Sequence, residues 1–388
     1  MPYSISGFTK RVYDLSIFLR FIVKVISVYG FYKGLKNCLI YLRSNKSLFF
    51  NLPNRYIKKG GSVYAVPDVP PVNTIDFINY LFNDVALQLD KKKPTLLFAI
   101  VCISSVCPYK CSYCYNLSAH SNQQLLSYET INKTIEGLLT MGAKNIYLSG
   151  GEPMLRFEMI SEILNKYSNK GLGFWLITTG WSLNKDKAIK LKEEGLRGVM
   201  ISLDGTWQSH IDKIKGKGAY KNAVAAIKAA SEAGLLVVAD CVIHQQLLEE
   251  AHFDNYINFA ASIGVDFINL YAPRIKKDFE DEERRNLSLS ELKKIGSLAL
   301  RNQTLRKYRH LPLAYSPDDF ESRRGCLGGE IFFYVGPDGS VKACPFKQKI
   351  LGNVKDKNIK EIINDYEKSG EREICDVNKI LSEQIARL

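Results

Sequence analysis

The middle of the chain alternates between two patterns of hydrophobic and polar residues. Short, almost continuous apolar runs, typical of buried strands, are separated by helical segments of about 10 to 15 residues. The predicted strands are 96–103, 144–149, 173–179, 197–203, 235–243 and 266–271. The predicted helices are about 128–141, 155–169, 184–194, 219–233 and 250–263. This alternation predicts an α/β fold in which crossover helices connect the strands of a parallel sheet.

The number of strands limits the architecture of this region. Six strands are too few for a complete eight-stranded barrel. A complete barrel is therefore not predicted for residues 95–275. Because parallel α/β sheets bind their ligands beyond the carboxyl ends of the strands, we expect the functional side chains at those ends.

The segment before this core is both apolar and basic. Residues 8–44 contain many large apolar side chains, but charged residues such as Arg20, Lys24 and Lys33 leave no window of 18 residues free of charge. A membrane-spanning helix is therefore not predicted. Two interpretations remain open: a basic amphipathic helix on an anionic membrane surface, and a helical cap with solvated Lys and Arg side chains. Nucleic-acid binding is disfavoured, because the aromatic residues of this run are expected to be buried.

Charge and composition refine this picture. The net charge is +13, and residues 1–60 hold eleven Lys and Arg residues against one acidic residue, Asp14. An anionic membrane surface is therefore a candidate partner of residues 1–60. The chain is 46% hydrophobic and 24% charged, which is ordinary for a globular protein. No signal-peptide pattern is recognised at the start, so we expect a cytoplasmic protein, with peripheral association at the inner membrane surface as one interpretation.

Shifts in composition divide the chain into predicted segments. Proline and glycine residues between 51 and 75 predict a linker, and Asn73 or Thr74 is predicted to cap a short helix after it. A charged helical connector and a bridging loop are predicted after Pro273. The predicted segments are a helical extension at 1–50, a linker and short helix at 51–94, the partial barrel at 95–275, the connector at 276–320 and a small hairpin-containing domain at 321–388.

Three cysteines follow the first predicted strand of the barrel. Cys107, Cys111 and Cys114 have C-x3-C-x2-C spacing, and soft thiolate ligands select iron–sulfur clusters or zinc. No fourth Cys or His follows within residues 115–118. Since a structural zinc site fills all four coordination positions, this spacing favours a catalytic cluster with one iron left open to a substrate.

Polar and glycine-rich motifs close the next three strands. They are Gly150-Gly151-Glu152-Pro153, Thr178-Thr179-Gly180 and Ser202-Leu203-Asp204-Gly205. With the cysteines, and with Tyr113 as the aromatic residue before Cys114, this ordered set resembles the radical S-adenosylmethionine (radical SAM) enzymes. The resemblance covers residues 95–275 and implies a six-unit partial TIM-like barrel.

The resemblance also implies cofactors and chemistry. Cys107, Cys111 and Cys114 would bind a catalytic 4Fe–4S cluster whose open iron chelates S-adenosylmethionine. After reduction by a protein such as flavodoxin or ferredoxin, cleavage would give a 5′-deoxyadenosyl radical that abstracts hydrogen from an unactivated carbon. By the same resemblance, Gly150, Gly151 and Glu152 would line the methionine amino group, and Tyr113 would lie near adenine. Thr178, Ser202 and Asp204 are candidates for ribose or carboxylate contacts, with ordinary strand-end caps as the alternative.

A second set of cysteines lies near the end of the chain. Cys326, Cys344 and Cys375 surround a predicted hairpin whose turn is Gly336-Pro337-Asp338-Gly339. The spacing of the first two around Gly339 resembles the SPASM and twitch auxiliary-cluster domains. The few later cysteines favour the shorter twitch-like form with one additional iron–sulfur cluster. Its fourth ligand would be substrate, water, or a side chain such as Asp318, Asp319, Glu330 or Asp376; a hairpin with incidental thiols is the alternative.

These features predict a radical SAM enzyme that acts on a peptide or a membrane-lipid-type substrate. The N-terminal segment shows no evident run of strands, so it does not resemble a leader-peptide-binding domain. A non-catalytic iron–sulfur electron-transfer or binding module is the alternative. The intact Gly150–Pro153 motif argues against it, because electron transfer alone needs no site for a sulfonium cofactor. His244, at the end of the fifth predicted strand, is a further residue expected near the site.

Overall fold

The computed structural model describes residues 3–44, 53, 55–67, 69–90, 96–111, 113–114, 125–273, 286–304, 311–315 and 328–371. The strands are β1 (Tyr3–Ile5), β2 (Tyr56–Lys59), β3 (Ser62–Tyr64), β4 (Phe98–Ser104), β5 (Asn145–Gly150), β6 (Gly173–Thr178), β7 (Leu196–Ser202), β8 (Leu236–Val242), β9 (Phe267–Tyr271), β10 (Leu313–Tyr315), β11 (Phe332–Val335), β12 (Ser340–Lys342) and β13 (Gly352–Asn353). The helices are α1 (Gly7–Tyr29), α2 (Phe31–Arg43), α3 (Ile75–Leu89), α4 (Tyr128–Thr140), α5 (Phe157–Tyr167), α6 (Lys185–Glu193), α7 (Gln208–Lys215), α8 (Ala219–Glu232), α9 (Glu250–Ser262), α10 (Leu289–Thr304) and α11 (Ile359–Ser369).

The large sheet has the strand order β10-β9-β8-β7-β6-β5-β4-β11-β12-β13. The six predicted strands are β4 to β9, and each pairs in parallel with the next. Within the described residues, β10 and β13 are the two edges of this sheet. The structure therefore confirms the predicted α/β fold with an open, partial barrel.

The sheet is wider than the sequence predicts. β10 pairs in parallel with β9, and β11 pairs in parallel with β4. The predicted hairpin does form, with β11 and β12 antiparallel around the expected turn. It extends the barrel sheet instead of standing apart from it, because β4 offers an edge whose backbone groups need partners.

Successive side chains along each strand point to opposite faces of the sheet, and both faces are apolar. One face packs against the crossover helices and holds, for example, Ile146, Phe174 and Val199. The opposite, inner face holds a smaller cluster that includes Tyr147, Trp175 and Phe267. This two-sided burial explains why β4 to β9 read as nearly continuous apolar runs.

The N-terminal region forms a unit with its own core. Apolar residues of α1, α2 and α3, including Phe21, Tyr41 and Leu81, pack together there. β1, β2 and β3 form a separate antiparallel sheet. The glycines at 60 and 61, which predict an interruption, instead make the tight turn between β2 and β3 with positive φ angles of 57° and 80°. The expected absence of strands in this region is thus corrected.

Of the two residues predicted to cap helix α3, Asn73 and Thr74, the structure shows that Thr74 is the cap. Thr74 Oγ1 accepts a hydrogen bond from Phe77 N at 3.4 Å and caps α3. The Asn73 side chain instead accepts a hydrogen bond from Val63 N at 3.0 Å, which fixes β3. None of the described helices has the length and hydropathy needed to cross a bilayer.

The β2–β3 hairpin joins this unit to the barrel. Ile57 and Tyr64 pack into the inner-face cluster beside Trp175. Lys59 Nζ lies 2.6 Å from Asp266 Oδ2, just before β9 begins. The hairpin therefore covers the amino-terminal half of the inner face, and ligands are left to approach from the carboxyl ends of the strands.

Candidate active site

The three thiols of the C-x3-C-x2-C motif lie on the loop that follows β4. Cys107, Cys111 and Cys114 are all partly exposed. The start of this loop is hydrogen-bonded to the end of β5, with Gly151 N donating to Ser104 O and Glu152 N donating to Val106 O, both at 2.7 Å. The cysteine loop and the glycine motif, which are more than 30 residues apart in the chain, therefore form one structural element.

Glycine is required at both positions of this junction. A Cβ atom on Gly150 would lie 2.1 Å from Ser104 O, and one on Gly151 would lie 2.3 Å from Val106 O. Gly150 also has a φ of 144°, which residues with a side chain rarely adopt. The two glycines thus allow the cysteine loop to approach the sheet. Their contact with a methionine amino group stays a prediction.

The electrostatics of the thiols fit an iron–sulfur cluster. Burial raises the pKa of Cys107 to about 11 and that of Cys111 to about 12, and repulsion from Cys114 adds to both shifts. Thiolates in this loop therefore need a nearby positive charge, which bound iron supplies. Among the described residues, no group of three or more His, Cys, Asp or Glu side chains is close enough to share a single metal ion. A cluster does not require such proximity, because each thiolate binds a different iron.

Glu152 is held inside the protein. Its side chain is completely buried, and it accepts hydrogen bonds from Thr178 Oγ1 at 2.7 Å, Thr179 N at 2.9 Å and Met154 N at 3.0 Å. Burial raises the pKa of this carboxyl, against the effect of these hydrogen bonds. Glu152 and Thr178 thus connect the ends of β5 and β6, and their ligand contacts stay predictions.

Asp204 lies at the end of β7 and faces the cysteine loop. Its carboxylate accepts a hydrogen bond from the Tyr113 hydroxyl, and a second from Val242 N at 3.0 Å. It also forms an ion pair with Lys215, at 2.8 Å. The Ser202 hydroxyl accepts a hydrogen bond from the same ammonium at 2.7 Å. Three of the predicted cofactor-binding residues, Tyr113, Ser202 and Asp204, are therefore brought together, in a network within the protein.

The element that supplies Lys215 was not predicted from the sequence. Helix α7 carries it, and the following helix α8 supplies Asn222, whose side chain donates to the Tyr109 hydroxyl at 2.6 Å. The apolar spacing of Trp207, Ile211 and Ile214 is a helical signal that would have identified α7. Both α7 and α8 therefore form hydrogen bonds with the cysteine loop, through Lys215 and Asn222.

His244 is buried beside this network and does not face solvent. Its Nε2 is 2.7 Å from the Asp204 carbonyl oxygen, and its ring lies 4.4 Å from that of His210. Burial is the main reason that the pKa of His244 falls to about 4, and His210 adds to the effect. A neutral imidazole that supports the end of β7 fits these contacts.

The second cysteine set is only partly described. Cys344 is buried just after β12. Cys326 and Cys375 lie outside the described residues, as do Asp318, Asp319 and Asp376. Glu330 lies just before β11 and is partly exposed. The auxiliary ligand set, Cys326, Cys344 and Cys375, therefore stays a prediction.

Comparison with known protein families identifies two regions of the chain. Residues 101–257 match the model of the Radical SAM superfamily, and residues 326–374 match that of an iron–sulfur cluster-binding domain, SPASM. The first region begins within β4 and contains the cysteine loop, both glycines and Asp204. The second contains Cys326 and Cys344. A 4Fe–4S cluster and S-adenosylmethionine are therefore the cofactors of the first region, and the second region is an iron–sulfur cluster-binding domain of the kind that holds auxiliary clusters.

Two curated relatives extend this comparison. The chain is 32% identical over 171 residues to a probable GTP 3′,8-cyclase of Sulfurisphaera tokodaii, covering 44% of this chain and 54% of the relative. It is 28% identical over 273 residues to the PqqA peptide cyclase of Rhizobium meliloti, covering 66% of this chain and 70% of that protein. The match thus spans about half the length of the GTP 3′,8-cyclase and 70% of the length of the peptide cyclase.

Solved structures share the fold. SuiB of Streptococcus suis bound to S-adenosylmethionine superposes with a TM-score of 0.59 at 14% identity, covering 74% of this chain and 70% of SuiB. SuiB bound to its precursor peptide SuiA gives a TM-score of 0.58, covering 78% and 72%. These structures show the fold alone; the two family matches show that residues 101–257 are a Radical SAM superfamily domain and that residues 326–374 are a C-terminal SPASM iron–sulfur cluster-binding domain.

Proposed function

We propose that this protein is an enzyme that reductively cleaves S-adenosylmethionine and abstracts hydrogen from an unactivated carbon of its substrate. The observation that carries this proposal is the cysteine loop held against Gly150 and Gly151 at the carboxyl end of the sheet. When bound, the cluster and S-adenosylmethionine supply the electron transfer and the 5′-deoxyadenosyl radical. The protein supplies position, orientation and shelter from water.

Different parts of the described structure position the cysteine loop and exclude water. Gly151 N and Glu152 N, just after β5, donate hydrogen bonds to the start of the cysteine loop, and Lys110 N within the loop donates to the carbonyl oxygen of Lys215 at the end of α7. The β2–β3 hairpin, through Ile57 and Tyr64, seals the amino-terminal half of the inner face. Holding the reacting groups together in a protected cavity makes an otherwise bimolecular reaction effectively intramolecular, and it keeps a reactive radical away from water.

We propose a peptide as the substrate. The relative that the chain covers most fully among those compared is named as a peptide cyclase. The inner face near the ends of β8 and β9 is polar, with Asn269 Nδ2 donating to Asp240 Oδ1 at 2.9 Å and to the Tyr271 hydroxyl at 3.2 Å. Such groups suit the amide donors and acceptors of a peptide backbone.

A lipid-type substrate is the second candidate, and the surface of the N-terminal unit favours it. Large apolar side chains of α1 and α2 are exposed: Phe8, Val12, Leu15, Leu19, Val23, Phe31, Tyr32, Leu35 and Leu39. The five on α1 have the spacing of one helical face. We call these nine residues the N-terminal apolar face.

We also propose that this face rests on an anionic membrane. Exposed cations accompany it, namely Arg11, Lys33, Lys36 and Arg43. Arg20 and Lys24 point the other way, Arg20 donating to Thr74 O at 2.7 Å and Lys24 lying over the Phe82 ring. Apolar side chains flanked by cations are the combination that binds negatively charged bilayers. Such peripheral attachment is compatible with either substrate.

A small one-electron donor such as flavodoxin or ferredoxin is the proposed reductant, since the reaction consumes one electron for each S-adenosylmethionine cleaved. The alternative, a non-catalytic electron-transfer module, would not release 5′-deoxyadenosine. Measuring that product with dithionite as the electron source therefore separates the two functions without a known substrate.

The decisive experiment is anaerobic reconstitution with iron and sulfide. We expect about eight irons per chain if both cluster sites fill and about four if only the first does. Replacing Cys107, Cys111 and Cys114 with Ala should abolish 5′-deoxyadenosine formation, whereas Cys38→Ala, in the core of the N-terminal unit, should leave it unchanged. Replacing Cys326, Cys344 and Cys375 should spare part of it. Zinc binding at the first three cysteines, or undiminished product in the triple variant, would refute the proposal.

A further inference from the structure

The cysteine loop reaches the protein surface beside a group of exposed lysines. Val106, just before the first of the three thiols, is 46% exposed, and the thiols are themselves partly exposed. The loop is therefore accessible from outside the protein. Four lysine side chains are exposed on the loop and on the two helices that contact it, namely Lys110, Lys213, Lys217 and Lys221. We call these four residues the basic corner.

Contacts between the loop and the two helices bring the basic corner together. Lys110 N donates to the carbonyl oxygen of Lys215, at the end of α7, at 3.1 Å. Gly216 lies against the Tyr109 ring, since a Cβ atom added to it would be 3.4 Å from Tyr109 Cδ1. Asn222 of α8 donates to the Tyr109 hydroxyl at 2.6 Å. The three lysines outside the loop each lie within two positions of one of these contacts, so all four belong to one surface region.

Little negative charge balances the basic corner. Residues 106–111 and 208–222 contain five lysines and one acidic residue, Asp212. The fifth lysine, Lys215, is buried in an ion pair inside the protein. The Asp212 carboxylate accepts a hydrogen bond of 3.0 Å from Tyr220 N, which holds it against the start of α8. The surface beside the cysteine loop therefore has a local excess of positive charge.

The basic corner lies outside the chamber that a substrate would enter. Ile211 of α7 and Ala223 of α8 are buried in the core that the crossover helices share with the sheet. Because the buried side of an amphipathic helix faces the core, the exposed side chains of α7 and α8 point away from the sheet. A partner bound at this corner therefore reaches the cysteine loop from the outer side and leaves the inner face of the sheet free for the substrate.

We propose that the basic corner is the docking surface for the small protein that reduces the cluster, and that this donor presents an acidic face. The inference rests on the proposed function, in which the cluster on the cysteine loop receives one electron. The donor loses that electron and the cluster gains it, and no bond forms or breaks. Opposite charges steer two such proteins together and orient them. A small contact area, typical of redox partners, lets the oxidised donor leave again.

Binding of an acidic flavodoxin to the whole chain tests where the donor docks. The double variant Lys217→Glu/Lys221→Glu reverses two charges of the basic corner, and the matched control Lys293→Glu/Lys294→Glu reverses two exposed lysines of α10. At low salt we expect at least about tenfold weaker binding for the corner variant and parent-like binding for the control. Binding of the parent protein should weaken as salt is raised. Equal weakening in both variants, or no weakening in either, would overturn the inference.

Reduction kinetics test what the docked protein does. After reconstitution, the corner variant should form 5′-deoxyadenosine more slowly than the parent protein when reduced flavodoxin is the electron source. With photoreduced 5-deazariboflavin, an uncharged reductant, the two rates should be equal. Slower product formation with both reductants would mean that the lysines support the cysteine loop itself, and would overturn the inference. A parent protein that forms no 5′-deoxyadenosine with either reductant would refute the proposed function instead, and the binding measurement would still decide whether the corner docks an acidic protein.

Discussion

Thr178 Oγ1 donates a hydrogen bond of 2.7 Å to the buried carboxylate of Glu152, and this contact joins the ends of two neighbouring strands. The same carboxylate accepts from Thr179 N and Met154 N. One acidic side chain therefore organises the turn after β5 and the turn after β6. Since the cysteine loop is hydrogen-bonded to the first of these turns, its position depends on Glu152 as well.

We expect Glu152→Gln to destabilise the protein by about 1–3 kcal/mol, because an amide nitrogen would face groups that donate hydrogen bonds. Urea unfolding measures this loss. The matched control is Glu158→Gln, on the first turn of α5, where the side chain is exposed. A Glu152→Gln variant as stable as the parent would contradict the described hydrogen bonds.

Gly151→Ala should displace the cysteine loop. The added Cβ would lie 2.3 Å from Val106 O, a backbone atom that moves only with the loop itself. We expect a loss of about 1–3 kcal/mol and fewer irons retained after reconstitution. Gly234→Ala is the control for an added methyl group, because its φ of 79° is itself unfavourable for Ala but its Cβ would meet no atom within 4 Å. Full iron binding by Gly151→Ala would show that the loop does not need this close approach.

His244 should make stability depend on pH in the acidic range. Its pKa is about 4 in the folded protein and 6.5 as its ordinary value, so the unfolded chain binds more protons between these limits. Stability should therefore be complete above about pH 6.5 and fall as the pH drops towards 4, by roughly 2–3 kcal/mol from this group. His244→Gln should flatten that part of the profile, measured as the urea midpoint at pH 5 and pH 7.5. His252→Gln is the control, and an unchanged slope in His244→Gln would exclude this origin.

The N-terminal apolar face should bind vesicles that contain phosphatidylglycerol. Replacing Leu15 and Leu19 with Glu removes two exposed apolar side chains, 58% and 54% exposed, and adds repulsion from the anionic surface. We expect at least about a tenfold lower partition coefficient in a sedimentation assay, and weaker binding of the parent protein at high salt. Leu300→Glu, at an exposed position of α10, is the control. Equal partitioning of all variants would reject the membrane proposal.

The sequence predicts the barrel strands well because each is an apolar run bounded by turns. Predicted strand 144–149 is β5 at Asn145–Gly150, and 235–243 is β8 at Leu236–Val242. The pairing of β11 with β4 could not be predicted, because it joins residues more than 200 positions apart whose local patterns carry no trace of the contact. Helix α7 was missed because its eight residues give only two turns of apolar spacing.

Within the site, the predictable part was the set of residues that form local motifs. The cysteine spacing and the Gly150-Gly151-Glu152 run identify the loop and its partner strand. The network of Tyr113, Asp204 and Lys215 was not predicted, since helix α7, which carries Lys215, was itself not predicted. Only the fold shows that this lysine is buried, and with it that Asp204 has an internal partner.

The hairpin of β2 and β3 has a practical consequence for how this polypeptide can be divided. A fragment starting at the first barrel strand would lose Ile57 and Tyr64, and would expose Trp175 and its neighbours to water. Asp266 would also lose the counter-ion that Lys59 provides. Such a truncated protein should aggregate on expression. The amino-terminal region is therefore needed to cover the inner face of the sheet and cannot be removed as an independent domain.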